Sequence, residues 1–213
     1  MKIWQLHTDS HQIGYPYASS QEEMQYYSNV FKKFNSGKAV FEDWKPTMIC
    51  RLHGVDVGKV LYAGQECWVF TEKAKNTLTA LLGNTVEYLP LYSRGEAHKK
   101  IGRTKLLTRK KIFTPILETV HTEPQHIVNL LNIKTAEILD AEQSEFDCRE
   151  EDGVIFGVKK LVFRPEAVQD SHIFKINNPG IEFQATTYVT DEFKTIYEGG
   201  GLLGLTFIEP SEK

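Results

Sequence analysis

The sequence predicts an α+β domain with a mostly antiparallel or mixed sheet and a few covering helices. Short strand-like runs outnumber helical ones. Three stretches, near 20–34, 72–82 and 191–198, carry apolar residues at helical spacing. The regular βαβαβ alternation of a doubly wound sheet is missing. The 213 residues fit one large domain or two small ones, and a 41% hydrophobic content supports a packed core. A division into 1–60, a strand–helix–loop region packed on the main body, and 61–210 is expected, with one continuous domain as the other arrangement.

Met1–Gln5 starts a short strand. Ser19 or Ser20 then precedes a helix whose stripe is Met24, Tyr27, Val30, Phe31 and Phe34. Glu22 and Glu23 suit its start, Lys32 and Lys33 its end, and "NSG" at 35–37 stops it. Residues 39–64 read as a loop with short strands around "TMICRL" and "KVLYA". "CWVF", 67–70, is an apolar strand. Thr71 caps the next helix, Glu72 lies in its first turn, and Ala74, Leu78, Leu81 and Leu82 form its buried stripe. Gly83 and Asn84 turn the chain into a strand, "VEYLPLY", that Pro90 interrupts.

Residues 94–111 read as a surface hairpin or a loose helix, and "HIVNLLNI", 126–133, as an inner strand. "TAEILDAEQSEFD" is ambiguous between strand and turn. "VKKLVFRP" reads as a strand ended by Pro165, "HIFKI" as another, and "NNPG" as a turn. "IEFQATTYV" places Ile181, Phe183, Ala185 and Thr187 on one packed face. Thr190 and Asp191 open the last helix, with Phe193, Ile196 and Tyr197 inward. "GGG" at 199–201 ends it, and "LLGLTFI" makes a closing strand.

Val69–Pro90 and Tyr188–Pro210 share the order strand, Thr plus acid, helix, Gly, strand. Thr71 matches Thr190 and Lys75 matches Lys194, but few other side chains agree. Duplication stays open. The glycines follow helices, whereas a phosphate cradle precedes one, so a helix stop explains them better.

Net charge is −3, which favours neither nucleic acid nor membrane as a partner. Residues 94–111 nevertheless hold eight Lys/Arg against one Glu, and 137–152 hold eight acids against one Arg. Such runs are solvated surface, or they steer an oppositely charged partner. No aromatic interleaves the basic run to stack bases, so nucleic-acid binding has little support.

Cys50, Cys67 and Cys148 do not make a secreted disulfide framework, and no CxxC supports a zinc site. The first residues are too polar for a signal peptide, and no run is long enough to span a membrane. A cytoplasmic location is expected. "HTEPQH" brings His121, Glu123 and His126 together, but Pro124 and the spacing argue for a loop–strand junction over a metal site. Ser144 with Glu145 and Asp147 reads as a turn. Cys148 lies among acids that raise its thiol pKa, which suits no nucleophile. His53 or His172 would have to approach Ser144 to activate it. No catalytic, cofactor-binding or metal residue is assigned.

"VFTEKAKNTLTALLGNTVEYLPL", "HIVNLLNIKTAEILDAEQSEFD", "HIFKI" and "YVTDEFKTIYEGGGLLGLTFIEP" together resemble the Imm11 family, formerly DUF1629, over Leu61–Pro210. The resemblance implies an immunity protein of a bacterial polymorphic-toxin system that neutralises a cognate toxin by occlusion, without catalysis or cofactor. The basic segment looks like an elaboration of the family pattern. Partner-binding candidates are therefore Arg94, Lys99, Lys100, Arg103, Lys105, Arg109, Lys110 and Lys111. Glu142, Glu145, Asp147, Glu150, Glu151 and Asp152 form the acidic alternative. The other readings are an enzyme-like domain for a small polar substrate and a nucleic-acid binder using 94–111. Oligomeric state is left open.

Overall fold

The computed structural model describes residues 2–8, 11–12, 15–16, 21–44, 48–49, 52, 54–62, 65–91, 124–134, 138–140, 142–148, 155–176 and 186–210. They form an α+β fold built on two five-stranded sheets. One has the order β2 (His11–Gln12), β5 (Val57–Tyr62), β6 (Gln65–Thr71), β8 (Gln125–Leu130), β7 (Val86–Pro90). The other has the order β9 (Ile133–Lys134), β12 (Ile173–Ile176), β13 (Thr187–Thr190), β1 (Ile3–His7), β14 (Thr206–Ile208). In each sheet the first two strands are parallel and all later neighbours are antiparallel. Two short ladders are separate: β3 (Tyr15–Pro16) with β4 (Met48–Ile49), and β10 (Glu145–Cys148) with β11 (Ile155–Lys160). The helices are α1 (Gln21–Asn35), α2 (Glu72–Leu82), α3 (Pro165–Val168) and α4 (Asp191–Gly199).

The two sheets repeat one another in register. Lys59 pairs with His11 as Lys175 pairs with Ile133. Phe70 pairs with Val57 and His126 as Val189 pairs with Ile173 and Trp4. Val128 pairs with Tyr88 as Leu6 pairs with Phe207. In chain order the copies run β1-β2-β5-β6-α2-β7 and β8-β9-β12-β13-α4-β14. The first strand of each copy lies in the other copy's sheet, β1 between β13 and β14 and β8 between β6 and β7. This is a tandem structural repeat with exchanged first strands, arranged like a domain-swapped dimer within one chain. The division at 60/61 falls inside β5.

The helix starts repeat as well. The Thr71 hydroxyl accepts from Ala74 N at 3.2 Å, and the Thr190 hydroxyl from Phe193 N at 3.4 Å. Such a cap satisfies an amide that the helix's first turn leaves free. Thr71 N donates to Asp56 O and Thr190 N to His172 O. Glu72 N donates to Pro124 O and Asp191 N to Lys2 O, each at 3.0 Å.

Ala74, Leu78 and Leu82 of α2 meet Phe193 and Tyr197 of α4 in one core. The same core takes Trp68, Phe70 and Val128 from one sheet and Trp4, Leu6 and Val189 from the other. On the opposite side of the first sheet, Val30 and Phe34 of α1 cover Val69, Leu89 and Ile127. On the second, Ile138, Leu139 and Val168 cover Ile3, Phe174 and Tyr188.

Local expectations change at several points. The strand expected over 158–165 ends at Lys160, and Pro165 opens α3. Proline has no N–H to give a ladder and costs nothing in a helix's first turn. Thr187–Thr190 is buried on both faces, because β13 is a middle strand with core on either side. The closing strand is Thr206–Ile208 only, since Leu202–Leu205 pass as a turn against β5. The ambiguous 135–147 run resolves, where described, into a bridge from Leu139 to Phe163, a turn and the start of β10. The "NNPG" turn and Ile181, Phe183 and Ala185 lie outside the described residues.

Candidate functional site

The basic candidates Arg94, Lys99, Lys100, Arg103, Lys105, Arg109, Lys110 and Lys111 lie outside the described residues, as do Glu150, Glu151 and Asp152. The points where the chain leaves and rejoins the scaffold are described. Pro90 ends β7 opposite His126 of β8, and Leu91 N donates to Gln125 O at 2.9 Å. Residues 92–123 therefore leave and return between adjacent antiparallel strands. This segment is the link between the two copies. Glu142 and Glu145 are exposed, and Asp147 lies in β10.

The acidic run 137–152 lies within the stretch that joins β9 to β12 in the second copy. The first copy fills the corresponding stretch with β3, α1 and β4. Both charged runs thus fall outside the repeated frame. Asp140 and Gln143 of the acidic run, with Val162, Phe163, Arg164, Pro165 and Glu166, line an open hollow of about 410 Å³. Both Asp140 carboxylate oxygens are already engaged, by the amides of Glu142 and Gln143 and by the Gln143 side chain.

Ser144 is buried and acts as a turn residue. Its hydroxyl accepts from Val162 N at 3.0 Å and donates to Val162 O at 3.3 Å. His53, His121 and Glu123 lie outside the described residues. His126 is in β8, whereas His172 precedes β12 in the other sheet and sits 3.2 Å from the Thr190 hydroxyl.

The pairing of His126 with Glu72, 54 residues away, has no local sequence signal. Glu72 opens α2, where a carboxylate suits the helix N-terminus. Its Oε2 lies 2.6 Å from His126 Nε2, and its Oε1 accepts from Lys75 at 3.2 Å. The His126 hydrogen bond holds the Glu72 carboxyl below its ordinary pKa, although partial burial opposes the shift. His126 is 7% exposed, and the Tyr88 ring meets it edge-on at 6.3 Å. Burial lowers the His126 pKa; Lys75 adds to this and Glu72 works against it.

An ionised Glu72 carboxylate can only accept, so His126 donates to it from Nε2, and among the described residues no hydrogen bond reaches its buried Nδ1. Burial raises the Tyr88 phenol pKa, with the Thr79 side chain pulling it down, and among the described residues no hydrogen bond is found at that hydroxyl.

The second copy makes the same connection with different groups. Trp4 stands where His126 stands and Asp191 where Glu72 stands, and Trp4 Nε1 donates to Asp191 Oδ1 at 2.9 Å. Lys194, the counterpart of Lys75, lies over the Trp4 ring at 3.6 Å. An acid at the helix start bonded to a ring N–H on the exchanged strand is thus a property of the frame. Buried in β8, His126 joins that strand to α2 through Glu72.

Among the described residues, no three His, Cys, Asp or Glu side chains are placed to hold a metal ion. No described helix is long and apolar enough to cross a membrane. No protein-family model matches the chain, and neither does any curated protein.

Proposed function

We propose that this protein binds and neutralises a cognate bacterial toxin by occlusion, as the resemblance to the Imm11 family implies. The observation that carries the reading is where the charged runs fall. The repeated frame is two sheets joined by exchanged first strands, while 94–111 and 137–152 both fall outside the repeated elements, in the link between copies and in the second copy's own insertion. Segments added to a rigid frame are where recognition concentrates. The basic segment is the preferred contact for an acidic toxin surface, and Glu142, Glu145 and Asp147 belong to the acidic alternative.

Calorimetry of the purified protein with the toxin encoded beside its gene tests this. The reading expects a saturable complex that weakens when Lys99, Lys100, Arg109 and Lys110 are reversed in charge. Absence of any complex defeats it. Binding to nucleic acid instead, with affinity falling steeply as salt rises, favours the nucleic-acid reading.

A further inference from the structure

We propose that the Glu72–His126 pair is a proton-operated clasp at the root of the 92–123 link, and that Asp191–Trp4 is its permanently closed twin. This goes beyond the toxin-binding reading and does not depend on it. Three elements meet at the clasp. Glu72 begins α2 and bonds Pro124 O through its backbone N–H at 3.0 Å. His126 lies two residues further along, in the exchanged strand β8, opposite Pro90 at the end of β7. The clasp therefore holds down both ends of the link.

The groups facing His126 decide what a proton does there. From α2 come Glu72, which attracts it, and Lys75, which repels it. From β7 comes the edge of Tyr88, and from β6 the strand neighbour is the apolar Phe70. Protonation adds an N–H at Nδ1, where the described structure offers no acceptor, and buries a cation. Glu72 partners the charge at Nε2, but a buried donor at Nδ1 without an acceptor, added to the burial of the cation, outweighs it, so the proton is accommodated by opening the clasp. The Trp4 indole gains no proton in this range and keeps its bond to Asp191. On acidification the link's root loosens, while the matching corner of the other sheet stays shut.

Amide hydrogen exchange read residue by residue by NMR, from about pH 7.5 to about pH 5, spans the imidazole range. After correction for intrinsic rates, opening at 72–76 and 125–128 should rise towards acid. One proton taken up on opening allows at most about tenfold per pH unit. Residues 2–6, on the strand that carries Trp4, should not follow; 191–195 are not the control, because His172 lies against the Thr190 cap and Glu192. The double variant E72D/H126W transplants the twin's pair and should remove the acid opening. H126Q keeps a donor for Glu72 without a titrating ring, should do the same, and decides the matter alone if the double variant does not fold. Equal acid opening at both corners, or acid opening that persists in H126Q, overturns the proposal.

Discussion

Trp68 donates its indole N–H to the Thr187 hydroxyl at 2.8 Å, and the two residues stand 119 positions apart, the same offset that separates the caps Thr71 and Thr190. They are one position of the repeat, seen in each copy. Equivalent residues touch only near the axis that relates two copies, so this bond lies where the sheets meet, in the core they share.

Trp68→Phe keeps an aromatic ring but leaves the buried Thr187 hydroxyl without its donor. The expected loss is about 1–3 kcal/mol. Urea unfolding followed by circular dichroism should show an earlier midpoint and still a single transition, because neither sheet has its own inner core. Adding Thr187→Val removes the stranded hydroxyl and should recover part of the loss. A second transition would mean that the copies unfold separately.

The two caps should be worth similar amounts. Thr71→Ala and Thr190→Ala should each cost about 1 kcal/mol. Thr71→Ser and Thr190→Ser should cost less, since serine offers the same oxygen to the helix amide. The Thr71 hydroxyl also reaches Asp56 Oδ1 at 3.3 Å and the Thr190 hydroxyl reaches His172 Nδ1 at 3.2 Å, so neither cap has the simpler environment. Chemical denaturation of the four variants gives the comparison.

Much of this was legible locally. The caps, the α2 and α4 stripes, Val30 and Phe34 of α1 and the buried β8 follow from spacing within a few residues. The repeat was visible only as a shared order of elements. What the copies share is backbone pairing, while the side chains at matched positions differ: Phe70 against Val189, Ala74 against Phe193, His126 against Trp4. Strand exchange leaves no mark in a sequence, because β1 and β13 pair across almost the whole chain. The Glu72–His126 clasp depends on that pairing and was hidden with it. Pro165 was legible as a break, but whether it ends a strand or opens a helix depends on what packs there, here Val168 against Phe174.

Gly204 should tolerate no side chain. Its φ is +112°, and a Cβ would collide with the Val57 carbonyl. The turn must run this close because Asp56 N and Val57 N both donate to Leu203 O, at 2.8 and 3.0 Å. Gly204→Ala should cost at least about 2 kcal/mol, combining backbone strain with the collision. Gly54, at φ +69° with open space around it, is the control. Gly54→Ala should cost only about 1 kcal/mol in thermal or urea melts, the backbone penalty alone.

Acid should weaken the fold through Glu72 in a defined window. Its carboxyl is held below the ordinary 4.5, chiefly by His126. A depressed carboxyl contributes stability above its unfolded pKa, and that contribution is lost as pH falls through the folded value. Glu72→Gln should therefore flatten the stability–pH curve below 4.5 and leave its shape near neutrality largely unchanged. The side chain is 34% exposed, so the change should be modest. Urea midpoints of wild type and variant across this acid range measure it.

The link between copies should be removable. Pro90 and His126 already pair, and Leu91 N already bonds Gln125 O, so β7 and β8 need only a short turn to join them. Replacing residues 92–123 by a turn of about four residues shortens the closed loop about eightfold. Loop-closure entropy then favours the shortened chain by about 2 kcal/mol. The frame should fold with an unchanged or higher urea midpoint, and the Trp68–Thr187 and Glu72–His126 connections should persist. Under the proposed function, toxin binding should disappear with 94–111. A folded deletion variant that still binds the toxin at full affinity would move the contact to the second copy's insertion, with Glu142 and Glu145 the first residues to reverse in charge. A deletion variant that does not fold would show that the link is part of the scaffold.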